Sequence, residues 1–231
     1  MSGALSKKLF TQPIVVICST VLLFLMSQLM GVILAGFVTP YVHNTTYKLA
    51  IVIACNLLVL AGLVWLAMGV FKFRLQALGW SKPRRRGLLL VIPAFVIYLL
   101  ASSIFTLLAI KFIPGFKSDQ IQDVGFNNLK QPIELVVGFV SLAILTPIFE
   151  ETIFRGVLFK GLRINLPFWL SAVLTSLIFA IAHMQFNVAI DVFALSLLLC
   201  YLTEKSDSII PGILLHGLKN GLAFVLLFIF K

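Results

Sequence analysis

The sequence contains little charge. Only 11% of its 231 residues are charged, and only eight are acidic. About a quarter of residues are charged in soluble domains, so a chain with 61% hydrophobic residues and a mean hydropathy of +1.10 is not an ordinary soluble protein. This composition predicts a polytopic membrane protein. The length leaves no room for a separate soluble domain, and we expect residues 1–231 to form one integral membrane domain.

Cysteine is also scarce. The three cysteines, Cys18, Cys55 and Cys200, each lie inside an apolar run and have no C-x-x-C spacing. This pattern excludes a disulfide framework and a zinc knuckle, so we interpret the cysteines as packing residues. The sequence also has no H-E-x-x-H motif, internal repeat, low-complexity tract or Gly/Ser linker.

Apolar runs predict the membrane spans, since a transmembrane helix needs about 20 mostly apolar residues. The fourth run continues past two glutamates, and we interpret it as one long helix. The fifth and sixth runs are short, so either could be re-entrant. The predicted fold class is all-α, a transmembrane helical bundle of about seven spans. The runs cover residues 13–38, 49–71, 88–113, 133–162, 168–183, 188–202 and 209–230.

The cations predict the orientation, because Lys and Arg favour cytoplasmic loops. With the N-terminus inside, twelve of the eighteen cations fall in cytoplasmic segments and five fall outside, while Lys219 lies within a span. We therefore predict a cytoplasmic N-terminus. The cations stand between apolar runs and not along one polar face, so the net charge of +10 does not indicate nucleic acid binding. The twelve are Lys7, Lys8, Lys72, Arg74, Lys82, Arg84, Arg85, Arg86, Arg155, Lys160, Arg163 and Lys205.

The segment E-E-T-I-F-R at positions 150–155 places charge inside the fourth run. Ionisable residues in a bilayer are costly and mark candidate functional sites. Residues four apart share a helix face, so Glu151 faces Arg155. Glu150 is then rotated away from that pair and free for proton transfer. The alternative is an ion pair at a helix end that reaches into the headgroups.

His183 closes the sequence F-x-x-x-H that starts at Phe179. If two antiparallel helices meet at a turn between Leu162 and Phe168, His183 and Glu150 differ in depth by only ~4.5 Å. A carboxylate and an imidazole at one depth can hold and deprotonate a water molecule. A histidine near a helix end is also common as an interfacial or hydrogen-bonded residue, and this reading stays open.

His216 and Asn220 have i,i+4 spacing, which puts an imidazole and a carboxamide on one helix face. Both groups can donate hydrogen bonds, as an oxyanion hole does. The alternative is that the pair only joins helices by hydrogen bonds, a frequent role of these residues in membranes.

The motifs E-E-x-x-x-R, F-x-x-x-H and H-x-x-x-N, in this order, resemble those of the CPBP family of intramembrane proteases. That family includes type II CAAX prenyl endopeptidases and Abi-type proteins of bacteriocin processing or immunity. The resemblance covers about residues 133–224, the core that carries the motifs. Two positions depart from the family pattern: Ser196 stands where glycine is common, and Ser-Asp-Ser at 206–208 replaces Thr-Gly-Ser.

The resemblance implies an intramembrane endopeptidase with a catalytic cavity among its helices. The implied substrate is a membrane-associated peptide, such as a peptide pheromone, a bacteriocin leader or a lipidated peptide, in a bacterial plasma membrane. The family also implies the roles of the motif residues. Glu150 and His183 would activate water, His216 and Asn220 would bind the oxyanion, and Glu151 and Arg155 would support them.

The resemblance leaves cofactor and function open at two points. Glu150, His183 and His216 could supply three zinc ligands with water as the fourth, but the same residues serve a metal-free glutamate mechanism, which we favour. The alternative functions are a non-catalytic immunity or partner-binding protein, and a proton-coupled carrier. The absence of repeated halves counts against the carrier. Asp191 matches no motif and is interpreted as a cavity-lining acid or the polar start of a span.

Overall fold

The computed structural model describes residues 12–41, 74–118, 120, 129 and 131–230, with scattered positions between 48 and 65. This part of the chain is mostly helical and contains no strand, which confirms the all-α fold class. Short 3-10 turns occupy Thr39–Tyr41 and Leu75–Leu78. The helices are α1 (Pro13–Val38), α2 (Arg85–Leu89), α3 (Val91–Phe112), α4 (Pro132–Arg163), α5 (Phe168–Ala182), α6 (Phe186–Ser206) and α7 (Ile210–Phe228).

Five helices among the described residues are long and apolar enough to cross a membrane, namely α1, α3, α4, α6 and α7. The protein is therefore a multi-pass integral membrane protein. Helix α5 is apolar but has only 15 residues, as its short run predicts. Helix α6 extends beyond the predicted run 188–202 at both ends. Most of the predicted span 49–71, together with Lys7, Lys8 and His43, lies outside the described residues.

Helix α4 is the longest helix of the described bundle, with 32 residues. Pro132 occupies its first turn, where a missing N–H costs nothing, and the side chains of Gln131 and Glu134 form a reciprocal capping box. The helix passes both glutamates and ends at Arg163, which confirms the prediction of one continuous helix. Wider π-helical turns interrupt it at Val140–Leu145 and Thr152–Phe159.

Helix α6 lies at the centre of the bundle and packs against α3, α4, α5 and α7. Its side chains Leu195, Leu199 and Leu202 are fully buried. On the outer faces of α1 and α3, in contrast, many large hydrophobic side chains are exposed. A bundle that is apolar on its outside and holds its polar groups inside is the arrangement that lipid requires.

Polar contacts join several loop segments at one end of the bundle. The Arg84 N–H donates to the Ser206 carbonyl at 3.2 Å, and Arg163 pairs with Glu204 at 2.8 Å. Asp207, between α6 and α7, has a φ of 53°, a left-handed conformation in which glycine is favoured and Asp is tolerated. This is the position at which the CPBP pattern has glycine. The cation clusters of 82–86 and 160–163 therefore meet at the same end.

We expect this cation-rich end to face the cytoplasm, as the cation bias predicts. In a background with the three native cysteines replaced, Lys82→Cys should resist a membrane-impermeant maleimide added to intact cells. Ser118→Cys, in the exposed segment after α3 at the opposite end, should react readily and serves as the control. Labelling of Lys82→Cys together with protection of Ser118→Cys would reverse the assigned orientation.

Candidate active site

A fully buried ion pair lies at the centre of the candidate site. Arg155 Nη1 donates to Glu151 Oε1 at 2.9 Å, and neither side chain is accessible. The other guanidinium nitrogen, Nη2, donates to Ser196 Oγ at 2.7 Å, and the guanidinium lies 4.6 Å from the centre of the Phe179 ring. The predicted pairing of Glu151 with Arg155 is present in the structure. Ser196 belongs to none of the sequence motifs, yet its hydroxyl accepts from the second terminal nitrogen of Arg155.

His216 joins this ion pair from α7. Its Nδ1 lies 2.9 Å from Glu151 Oε1, and a carboxylate can only accept, so Nδ1 carries the hydrogen. The opposite ring nitrogen, Nε2, lies 3.7 Å from Glu150 Oε2. Glu151 thus fixes the ring so that its second nitrogen faces the neighbouring glutamate, a contact that helix periodicity alone did not predict.

Glu150 and Glu151 are adjacent in sequence but have different surroundings. Glu151 accepts from both Arg155 and His216 through Oε1, and its Oε2 has no hydrogen-bond partner among the described residues. Glu150 Oε2 is also buried without one, and no hydrogen bond to Glu150 is found among the described residues. The Glu150 side chain retains 16% exposure, so it is not fully enclosed by the surrounding helices. This is the arrangement expected of a carboxylate that is available for proton transfer.

His183 caps the C-terminus of α5. Its Nδ1–H donates to the Phe179 carbonyl at 2.9 Å, which leaves Nε2 as the acceptor of a neutral ring. The Phe179 ring meets His183 edge-on at a centroid distance of 4.8 Å and His216 at 6.0 Å. Phe179 therefore contacts both imidazoles and the Arg155 guanidinium, which gives the first residue of F-x-x-x-H a packing role.

Asn220 binds a backbone carbonyl of α4. Its Nδ2 donates to the Leu142 carbonyl at 2.9 Å. Leu142 lies in the π-helical turn Val140–Leu145 of α4. At the end of this turn the Thr146 N–H donates to the Ser141 carbonyl, and the next residue, Pro147, has no N–H. Leu142 is therefore left without a donor from its own helix, and Asn220 supplies one. The carboxamide keeps a second N–H for other use.

Helices α4 and α7 come very close beside this contact. A Cβ on Gly217 would lie 2.7 Å from the Ala143 carbonyl oxygen, a distance that no real side chain tolerates. Small residues allow such close packing between membrane helices. Gly217 therefore brings the backbone of α7 near enough for Asn220 and His216 to reach α4.

A second polar cluster lies near the motif residues. Tyr98 and Ser102 of α3 donate to Asp191 Oδ1 at 2.7 and 2.5 Å, and Lys219 Nζ lies 3.4 Å from Asp191 Oδ2. Asp191 is thus a partner of three side chains in the bundle interior. The sequence indicated a polar interruption here, but the partners come from two other helices, α3 and α7, and the periodicity of one helix does not predict contacts with another.

The donor set does not fit a metal ion. Among the described residues, no three His, Cys, Asp or Glu side chains come together as metal ligands. Glu150 and His216 approach each other, but His216 directs Nδ1 at Glu151, and His183 does not complete a set with them. We therefore derive no step through zinc.

The family comparison matches the segment that carries these residues. Residues 132–222 match the family described as type II CAAX prenyl endopeptidase Rce1-like. Over this segment the chain is similar to that family, which supports the resemblance carried by the three motifs. The matched range agrees closely with the predicted core of 133–224.

A relative in Escherichia coli, named "Uncharacterized 24.3 kDa protein", is 30% identical over 88 residues, which cover 36% of this chain. The match spans 41% of the length of that relative. No solved structure matches the chain significantly.

The buried ion pair predicts a sharp difference between the two glutamates. Glu151→Ala or Arg155→Ala leaves the other charge buried and unpaired, which costs about 3–5 kcal/mol of stability. Glu150→Gln removes no direct hydrogen bond among the described residues and should change stability much less. Thermal unfolding in detergent, followed by monodisperse fraction, measures the difference. Equal losses in all three variants would contradict this division.

The Asn220 contact predicts an energetic coupling to Pro147. Asn220→Ala should cost about 1–3 kcal/mol, because it leaves the Leu142 carbonyl unsatisfied. Pro147→Ala restores an N–H to α4, so the same Asn220 change should cost less in that background. A double-mutant cycle on unfolding free energy measures the coupling. Strict additivity would mean that Pro147 does not create the need for Asn220.

Proposed function

We propose that the chain is an intramembrane endopeptidase of the CAAX type that hydrolyses a peptide bond in a membrane-associated substrate. The observation that carries this proposal is the unpartnered Glu150 carboxylate facing Nε2 of a His216 ring that Glu151 holds. The Rce1-like match over 132–222 supports the same reaction class.

The proposed first step is deprotonation of water. Glu150 takes a proton from a water molecule, and the resulting hydroxide forms a bond to the carbonyl carbon of the scissile peptide. His183 accepts a hydrogen bond from this water through Nε2, since its Nδ1–H is bound to Phe179. The water acts in an interior that is otherwise shielded from bulk solvent.

The proposed second step is collapse of the tetrahedral intermediate. His216, when its ring carries a hydrogen on Nε2 as well as on Nδ1, and the free N–H of Asn220 donate hydrogen bonds that stabilise the oxyanion. The C–N bond then breaks, and the protonated Glu150 returns its proton to the leaving amine. Arg155 and Ser196 hold Glu151, which in turn holds His216, so these three act as positioning residues.

Cleavage by the purified protein tests the proposal. In nanodiscs, wild type should cleave at least one of three probes: a prenylated peptide ending in a CAAX sequence, its unprenylated form, or a double-glycine leader peptide. Glu150→Gln should abolish cleavage, and Asn220→Ala should lower kcat about 10²–10³-fold. Because no three metal-ligating side chains come together among the described residues, EDTA should have no effect.

Glu204→Gln is the matched control, because it removes a carboxylate from the cation-rich end without touching the site. It should retain wild-type activity. Cleavage retained by Glu150→Gln would remove Glu150 as the base. If no probe is cleaved, and a protective phenotype survives Glu150→Gln combined with Asn220→Ala, the chain is a non-catalytic immunity protein.

A further inference from the structure

The cluster around Asp191 contains Lys219, whose ammonium makes no close hydrogen bond to a carboxylate among the described residues. Lys219 has three N–H donors, and among the described residues its one carboxylate partner is Asp191, 3.4 Å away. Charge-assisted N–H···O bonds are about 2.7–2.9 Å long, so this pair is loose. Its side chain retains 16% exposure within a transmembrane helix. An ammonium held so loosely at this depth can accept a second anionic partner.

Asp191 does not depend on Lys219 alone. Its Oδ1 accepts from the hydroxyls of Tyr98 and Ser102, so two donors from α3 stabilise its charge. These bonds also hold the carboxylate in place, so that only its Oδ2 faces Lys219. An anion that contacts Lys219 would therefore leave Asp191 with two of its three partners.

Lys219 is placed beside the proposed catalytic residues. It precedes Asn220 and shares a face of α7 with His216, three residues earlier. Lys219 therefore lies at the proposed reaction site and belongs to none of the family motifs.

We propose that Lys219, oriented by Asp191, binds a carboxylate of the substrate on the leaving-group side of the scissile bond. This inference rests on the proposed function. An endopeptidase that cuts close to a chain end must accommodate the terminal carboxylate inside the bundle, where an unpaired charge is costly. The ammonium of Lys219 can neutralise this carboxylate.

The dimensions of the helices fit this placement. His216 lies six residues and Asp191 fifteen residues from the α6–α7 turn, so their depths differ by roughly 13 Å at 1.5 Å per residue. Three extended residues span about 10 Å. A peptide cut beside Glu150 and His216 can thus place a carboxylate three residues away near Lys219 and Asp191.

The test compares two farnesylated peptides ending in Cys-Val-Ile-Ser, one with a free C-terminal carboxylate and one with a C-terminal amide. Wild type should prefer the carboxylate peptide in kcat/KM by about tenfold or more, the range for a hydrogen bond to a charged group. Lys219→Met should bring the ratio close to one, and Lys219→Arg should restore it. A purely structural lysine would slow both peptides equally.

Two further variants control for folding. Lys219→Met combined with Asp191→Asn removes both charges, leaves no buried carboxylate unpaired and should also lose the preference. Lys205→Met removes an exposed lysine near the end of α6 and should keep it. An undiminished carboxylate preference in well-folded Lys219→Met would overturn the proposal.

A third peptide, with a C-terminal amide and Glu as its last residue, distinguishes the source of the carboxylate. Cleavage at the rate of the free-acid peptide would assign an acidic side chain as the ligand, and slow cleavage would assign the chain terminus. If wild type cuts neither these three peptides nor the unprenylated and double-glycine probes, the proposed function fails. Anisotropy of the three labelled peptides then tests binding alone. Tighter binding of the carboxylate form that Lys219→Met removes would support the site, and equal binding would refute it.

Discussion

The site depends on one buried interaction, the ion pair between Glu151 and Arg155. An isolated charge in the interior of a membrane bundle is costly, so each of these side chains requires the other. Arg155 also binds Ser196 of α6 and stacks on Phe179 of α5, while Glu151 also binds His216 of α7. Through this single pair, α4 is connected to three neighbouring helices. The orientation of His216, and with it the environment of Glu150, follows from that connection.

The irregular backbone of α4 has a comparable effect on α7. Pro147 cannot donate to the preceding turn, and the wider turn at Val140–Leu145 leaves the Leu142 carbonyl unpaired within the helix. An unsatisfied carbonyl inside lipid is unfavourable, so a donor from another helix is required. Asn220 provides it at a point where Gly217 allows the two backbones to approach. The proline and the asparagine, 73 residues apart, thus form one structural unit.

Much of this arrangement could be predicted from the sequence, and the limits have physical causes. Apolar length predicts the helices, and i,i+4 spacing predicts the contact of Glu151 with Arg155, because both depend on a single helix. The contacts of His216 with Glu151 and of Asn220 with Leu142 join different helices, and no periodicity within one helix encodes their relative rotation. Ser196 and Tyr98 are ordinary polar residues in sequence, and only the packing of α6 and α3 makes them partners of charged groups.

The difference between the adjacent glutamates connects the fold to the proposed chemistry. Neighbouring residues on a helix are about 100° apart, so two carboxylates in sequence cannot share one set of partners. Glu151 points toward Arg155 and His216 and is neutralised there, which leaves Glu150 beside the same imidazole without a hydrogen bond of its own. If both glutamates were paired with cations or hydrogen-bond donors, no carboxylate would be available to take a proton. In this protein the hydrogen bond from His216 to Glu151 also positions the His216 ring so that its Nε2 faces Glu150.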